Sequence, residues 1–198
     1  MGGLFAMTIL MMVASIVADP DQLQDLNGYP CKASINADDF FFSGLANSGP
    51  TNNSLVTPAN VLKIPGLNTQ GLSFSRIDYA PGGVNPPHTH PRASEVIYVL
   101  EGELEVGFVT TTNALVSKVI KKGDIFVFPR ALMHYQKNNS NKQSASVLAA
   151  FNSQLPGTQS IGTALFGATP PIPDPVLSKA FQVGANQVGK IKSTFSQK

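Results

Sequence analysis

Hydrophobic and polar residues alternate along the middle of the chain, from about residue 58 to residue 152. Residues 103–108, Glu-Leu-Glu-Val-Gly-Phe, alternate at every position, and residues 72–77 show the same period. A period of two is typical of a β-strand with one face against a core. Several short strands at this spacing predict an all-β sandwich or barrel. Turn residues separate the strands at Pro81-Gly82-Gly83, Glu101-Gly102 and Lys122-Gly123-Asp124.

Three continuous apolar runs lie among the alternating stretches. They are Val96–Leu100, Ile125–Phe128 and Val147–Phe151. We expect each run to be a strand that is buried on both faces. Because the chain shows no internal repeat, the pattern predicts one barrel rather than two.

The segments on either side of the barrel differ in composition. Residues 19–57 are rich in turn residues, and they predict an irregular extension that Phe40-Phe41-Phe42 would dock onto the core. After Pro156 the pattern becomes helical. Asp174 can cap a helix that has Pro175 at its first position, and a second helix is expected near residues 185–195.

Residues 4–17 form an apolar run, and no charged residue precedes Asp19. The run is shorter than the ~20 residues of a spanning helix and has small residues near its end. We interpret residues 1–18 as a signal peptide; a buried N-terminal helix or a retained anchor is the alternative. The predicted organisation is a signal peptide 1–18, an extension 19–57, a barrel 58–155 and a helical segment 156–198.

Composition narrows the class of protein. Charged residues make up 13% of the 198 residues, hydrophobic residues make up 42%, and the net charge is +2. The low charge argues against disorder and against a coiled coil, and it gives no reason to expect a nucleic-acid partner. The single cysteine, Cys31, is either free or paired with another chain. In a secreted chain, the sequons at Asn52 and Asn138 become usable for N-glycosylation.

The histidines are confined to two short segments of the strand region. His88 and His90 lie in PGGVNPPHTHPRASE, residues 81–95, where side chains two apart point to the same side of an extended chain. His134 ends the next strand unit, KKGDIFVFPRALMHY. A single histidine on a strand is more often a surface or core residue than a ligand.

Glu95 begins a strand, and it shares one face of that strand with Ile97 and Val99, which we expect to point into the core. A carboxylate in such a row is costly unless it is paired or binds a metal. The convergence of all three histidines with this carboxylate predicts a metal site. Three neutral imidazoles and one carboxylate suit zinc, iron or manganese, and they leave two positions open on an octahedral ion. The predicted ligands are His88, His90, Glu95 and His134.

These segments resemble a known family. PGGVNPPHTHPRASE, then GELEVGF and KKGDIFVFPRALMHYQ, look like the two cupin motifs in their germin-like form, and NGYPCK and ADDFFFSGL resemble the N-terminal part of plant germin-like proteins. The resemblance runs from about residue 19 to the C-terminus. It implies a single jelly-roll β-barrel with C-terminal helices that pack between the subunits of a hexamer, a trimer of dimers.

The resemblance also implies that the ion is manganese, held by the same four residues, in a protein of the plant extracellular matrix. Germin-like proteins typically carry a second cysteine that pairs with the match to Cys31. The stretch that would hold it is missing here, so we predict no intrachain disulfide.

Three functions stay open at this point. Superoxide dismutation needs a redox-capable ion with open positions and little pocket recognition. Oxalate oxidation, the activity of true germins, uses two asparagines beside the metal: Asn85 matches one, but Ser75 stands where the other is expected. The third is a non-enzymatic, metal-stabilised cell-wall or receptor-like protein. A role in defence or stress is implied by the family alone.

Overall fold

The structure is a computed structural model, and it describes residues 34–46, 48–49 and 51–195. The signal peptide, its cleavage and Cys31 lie outside these residues. The described part of the chain contains ten strands: β1 Ser54–Ala59, β2 Ser73–Tyr79, β3 Val84–Thr89, β4 Glu95–Glu101, β5 Glu103–Val109, β6 Leu115–Lys121, β7 Ile125–Phe128, β8 His134–Lys137, β9 Ala145–Phe151 and β10 Gln159–Ser160.

The strands form two five-stranded antiparallel sheets, ordered β1-β2-β9-β4-β7 and β10-β3-β8-β5-β6. The crossovers between the sheets give the predicted jelly-roll barrel, so the all-β fold is confirmed. Strand β1 begins within the segment interpreted as the extension, and β10 lies in the segment interpreted as helical. Two short 3-10 helices, Ala37–Phe40 and Pro65–Leu67, precede β2.

Three helices follow the barrel: α1 Ile161–Phe166, α2 Asp174–Phe181 and α3 Ala185–Phe195. The expected start of a helix at Asp174 is nearly right, but Asp174 is the first helical residue and does not cap it. Its carboxylate instead accepts a hydrogen bond from Lys192 of α3 at 2.5 Å. The ring of Phe166 contacts those of Phe181 and Phe195, so the helices share a small apolar cluster of their own.

The core lies between the two sheets. In β5, buried Leu104 and Val106 alternate with Glu103 and Glu105, which is the alternation that the sequence predicts. Inward-facing residues of both sheets remove their apolar surface from water, which is the main favourable contribution to folding. The most deeply buried include Ile77, Tyr79, Ile97, Val99, Leu104, Val106, Ile120, Phe128, Val147 and Ala149.

The expectation of burial on both faces is wrong for two of the three apolar runs. In β4, Tyr98 is 44% exposed, and in the neighbouring β7, Ile125 is 62% exposed. The two residues are paired in register, as are Val96 and Val127, so they form one apolar patch on the outer face of the sheet. An antiparallel sheet needs only one face in the core. Strand β9 is central, and its run is buried or half-buried throughout.

Asn138 joins three segments at the end of β8. Its Nδ2 donates to the carbonyls of Ala80 and Gln143, at 3.0 and 2.7 Å. Its Oδ1 accepts from the amide of Ser140 at 3.0 Å. The side chain is buried, so these bonds form away from competing water.

We expect Asn138→Ala to lower the free energy of unfolding by about 2–3 kcal/mol, because several buried hydrogen bonds are lost at once. Asn141→Ala is the matched control, since Asn141 is exposed in the same loop. It should change stability by less than about 0.5 kcal/mol. Urea denaturation of both variants measures the difference. Equal losses of stability in the two variants would contradict the role of Asn138 in joining these three segments.

Candidate metal centre

The four predicted ligands come from three strands and one turn. His88 of β3 lies directly opposite His134 of β8 in the strand register. His90 follows β3 by one residue, and Glu95 is the first residue of β4. One potential ligand atom from each residue lies within 4.8 Å of the others, and all four side chains are buried. The structure therefore brings together the residues that the sequence places in one cluster.

Local sequence explains the placement of His88 and His90. The β3–β8 register shifts between Asn85 and His88, where Pro86 and Pro87 interrupt the ladder. Proline has no amide hydrogen to donate, so it is tolerated at such an irregularity. Beyond the bulge, the chain presents both imidazoles to the barrel interior.

Backbone carbonyls determine which nitrogen of each ring carries the hydrogen. The Nδ1 atoms of His88 and His134 lie 2.8 Å from the carbonyl oxygens of Pro86 and Leu132. The Nδ1 of His90 lies 2.5 Å from the carbonyl oxygen of Gly157. A carbonyl only accepts, so each Nδ1 must donate. In the neutral rings, each Nε2 is then left with a lone pair for a metal.

The Nε2 atoms of His90 and His134 lie 3.2 and 3.0 Å from Oε2 of Glu95. In neutral rings these nitrogens are acceptors, as is the carboxylate oxygen, so the three atoms repel one another unless a cation or additional protons lie among them. The other oxygen, Oε1, is buried and has no hydrogen-bond partner among the described residues. This arrangement fits a divalent cation bound by nitrogen and oxygen.

Comparison with known proteins decides the family. The cupin family matches residues 43–189. Germin-like protein subfamily 2 member 1 of Arabidopsis thaliana is 57% identical over 211 residues, which cover 98% of this chain and 96% of that protein. The rhicadhesin receptor of Pisum sativum is 59% identical over 187 residues, covering 92% and 86%. The chain is a germin-like member of the cupin family.

Solved structures agree with this assignment. An oxalate oxidase in complex with the substrate analogue glycolate is 46% identical to this germin-like chain. The two superpose with a TM-score of 0.82, over 86% of this chain and 88% of that one. The predicted fold and family resemblance are therefore both confirmed.

Aromatic side chains hold two of the ligand rings in this germin-like protein. Phe128 stacks on His134 with ring centroids 4.5 Å apart, and Phe151 presents its ring to His90 in an edge arrangement at 4.8 Å. Packing of this kind limits ring rotation and excludes water from one side of the site. These aromatic supports were not predicted from the sequence, although the position of Phe128 within the second motif was available as a signal.

The charge states suit cation binding. Burial lowers the pKa of His88 from 6.5 to about 4, and the nearby His134 adds to this effect. Burial raises the pKa of Glu95, but in the metal-free protein hydrogen bonds from His134 and His90, when these rings carry the additional protons, outweigh it and bring the pKa to about 2. At neutral pH, His88 is uncharged and Glu95 is ionised, which are the forms that bind metal.

A cavity of about 450 Å³ opens onto three of the four predicted ligands, His88, His90 and Glu95. Ser75 and Asn85 both line it, so the two positions compared with the asparagines of true germins lie beside the site. Apart from the ligands, none of the described residues around the cavity is titratable. The apolar part of its wall comes from Val56, Pro58, Phe74, Ile77, Phe151, Leu155 and Pro156.

We expect the metal-free protein to lose stability as the pH falls from 6.5 to about 4, the two pKa values of His88. Because the folded-state pKa is the lower one, the unfolded chain binds this proton first and unfolding is favoured in that window. Above it, the ring is neutral in both states. This group should contribute at most about 1.4 kcal/mol per pH unit.

Chemical denaturation of chelator-treated protein across this window measures the slope, with His88→Gln as the matched variant. The variant should show a shallower slope, whereas an unchanged slope would assign the effect to another group. Glu95 acts at lower pH. Its pKa is lowered from 4.5 to about 2, so its contribution is present above 4.5 and is lost as the pH falls through about 2.

Proposed function

We propose that this germin-like protein is a secreted manganese-binding protein that dismutates superoxide. The observation that carries metal binding is the convergence of two histidine Nε2 atoms on Oε2 of Glu95. The donor set also fits zinc and iron, so manganese is proposed from the germin-like resemblance. Dismutation is proposed because the site leaves room for a small ligand and demands little further recognition.

The chain's own residues hold and shield the site. A bound manganese ion would supply one-electron redox chemistry. Carbonyl acceptors and aromatic neighbours keep the imidazoles oriented, so little reorganisation of these rings would be needed if the charge of a bound ion changed. No other described residue that lines the cavity is titratable, so the described lining offers no separate general acid or base. Dismutation of two superoxide ions to dioxygen and hydrogen peroxide consumes two protons, which solvent would supply through the cavity.

Two alternatives have specific support. The solved oxalate oxidases favour oxalate oxidation, but Ser75 is shorter than asparagine and cannot donate an amide hydrogen to a dicarboxylate. The pea relative is named a receptor, which favours a non-enzymatic cell-wall or receptor-like role. Oxalate consumption by the same metal-loaded preparation would support the first alternative, and dismutase activity without oxalate consumption would support the proposal.

We propose assembly as a hexamer in the apoplast, with a role in defence or stress taken from the family. The apolar patch on β4 and β7 and exposed Val176 and Phe181 of the helical segment support contacts between copies. Size measurement by light scattering would test this, and a monomer would overturn it. None of the described helices is long and apolar enough to cross a membrane.

Of the two sequons, we propose Asn52 as the glycan acceptor. Asn52 is exposed, whereas Asn138 is buried and its amide nitrogen already donates two hydrogen bonds. A glycan on Asn138 would replace one of these hydrogens. Glycopeptide mass spectrometry of protein secreted from plant cells should find sugar at Asn52 alone, and sugar on folded protein at Asn138 would contradict this.

We expect superoxide dismutation by the purified protein to follow its manganese content. His134→Ala removes one ligand and leaves the charge of Glu95 less compensated, so it should lower both metal content and activity at least tenfold. Lys137→Ala is the control, because Lys137 is exposed on the same strand. Metal analysis and a dismutase assay on the same samples measure both quantities.

Each contrary outcome has a separate meaning. Folded, fully manganese-loaded protein without activity would remove the dismutase proposal and favour the binding role. Protein that binds zinc in preference to manganese would remove the proposed ion. Retention of metal by His134→Ala would remove His134 from the ligand set.

A further inference from the structure

His90 differs from the other two imidazoles in how its ring is held. The Nδ1 atoms of His88 and His134 each donate to a carbonyl two residues earlier in the same segment. The acceptor for His90 is the carbonyl of Gly157, which is 67 residues away in the sequence. The orientation of His90 therefore depends on a tertiary contact, whereas that of the other two rings is largely local.

Gly157 belongs to residues 155–158, Leu-Pro-Gly-Thr, which we call the 155–158 loop. The loop follows β9 and forms part of the cavity wall. Thr158 brings its hydroxyl oxygen to 3.5 Å from the same nitrogen of His90. Proper placement of His90 thus requires this loop to lie where it does.

Arg92 holds the loop. Its Nε and Nη2 atoms donate to the carbonyl oxygen of Leu155 at 3.1 and 2.8 Å. Two donors of one planar guanidinium share a single acceptor, so the geometry is more restricted than one bond would make it. Arg92 is two residues from His90, so the two side chains that donate hydrogen bonds to the 155–158 loop come from one short segment.

The fit between Arg92 and Gly157 is close. Gly157 has a φ of +68°, which favours glycine, and a Cβ there would lie 2.8 Å from Nη2 of Arg92. The guanidinium therefore packs directly against the glycine backbone. Any larger residue would displace it or the loop.

We propose that Arg92 is a positioning residue of the metal centre. It fixes the 155–158 loop so that the Gly157 carbonyl holds the hydrogen on Nδ1 of His90 and directs Nε2 toward Glu95. The inference rests on the proposed metal binding. It assigns to Arg92 an effect on the metal that is transmitted through His90, without contact between Arg92 and the ion.

The test uses Co²⁺ as the probe, because its visible absorption responds to the number and geometry of its ligands. Arg92→Met removes both hydrogen bonds and keeps much of the side-chain length. It should weaken Co²⁺ binding about 10–100-fold, as is typical when a partner of a ligand is lost, and it should alter the spectrum. Arg92→Lys, which keeps one donor nitrogen, should recover part of the affinity. Arg130→Met is the control, since Arg130 is exposed within the second motif.

Gly157→Ala provides a second variant that keeps the arginine. Its Cβ displaces the guanidinium, so it should shift affinity and spectrum in the same direction as Arg92→Met. The double variant should lose less than the sum of the two single losses, because both act through one loop. If Arg92→Met fails to fold by circular dichroism, Gly157→Ala carries the test alone.

Two failures are distinguishable. If the unaltered protein binds neither Co²⁺ nor Mn²⁺, the proposed metal function is overturned, and this inference with it. If the unaltered protein binds Co²⁺ and folded Arg92→Met shows the same affinity and spectrum, only the role of Arg92 is overturned. A loss of affinity in Arg130→Met as large as that in Arg92→Met would also overturn it.

Discussion

The ionised carboxylate of Glu95, buried at the head of an apolar strand row, is the constraint on which the centre of this barrel depends. An unpaired carboxylate in such a place would cost several kcal/mol. Two imidazoles lie beside this carboxylate: the Nε2 atoms of His90 and His134 approach Oε2 from two other segments. Because the carbonyl partners keep these nitrogens as acceptors in the neutral rings, the compensation is complete only with a positive charge among them. The atoms that would bind a cation therefore also determine the cost of burying Glu95, and with it part of the stability of the barrel.

Sequence pattern accounts for much of this arrangement. Alternation predicted the strands, and the row of Glu95, Ile97 and Val99 placed the carboxylate in the core, where it is found. The carbonyl partners could not be predicted, because a backbone acceptor leaves no side-chain signal. The link from His90 to Gly157 joins segments 67 residues apart, which only the folded chain reveals.

The outer face of β4 and β7 shows a different limit. A continuous apolar run has the same appearance whether its second face packs against the same chain or remains available to another, so Val96–Leu100 and Ile125–Phe128 were expected to be buried. The low fraction of charged residues, 13%, has the same ambiguity. Both features make sense if part of this surface is covered by further copies. The sequon at Asn138 is ambiguous in a similar way, since the same letters describe an exposed acceptor or a buried clamp.

The cavity lining indicates which part of the proposed reaction would depend on the ion and which part on the protein. The four clustered side chains could hold a metal, and the other polar side chains of the described cavity wall, among them Ser75 and Asn85, are neutral. Neutral hydrogen-bonding groups discriminate among small oxygen-containing ligands by less than fixed charges do. If the proposed ion binds there, its redox properties would have more influence on the proposed reaction than the cavity wall. Under the proposed function, the ion that this barrel acquires and a single change at a position such as Ser75 would then both alter its activity.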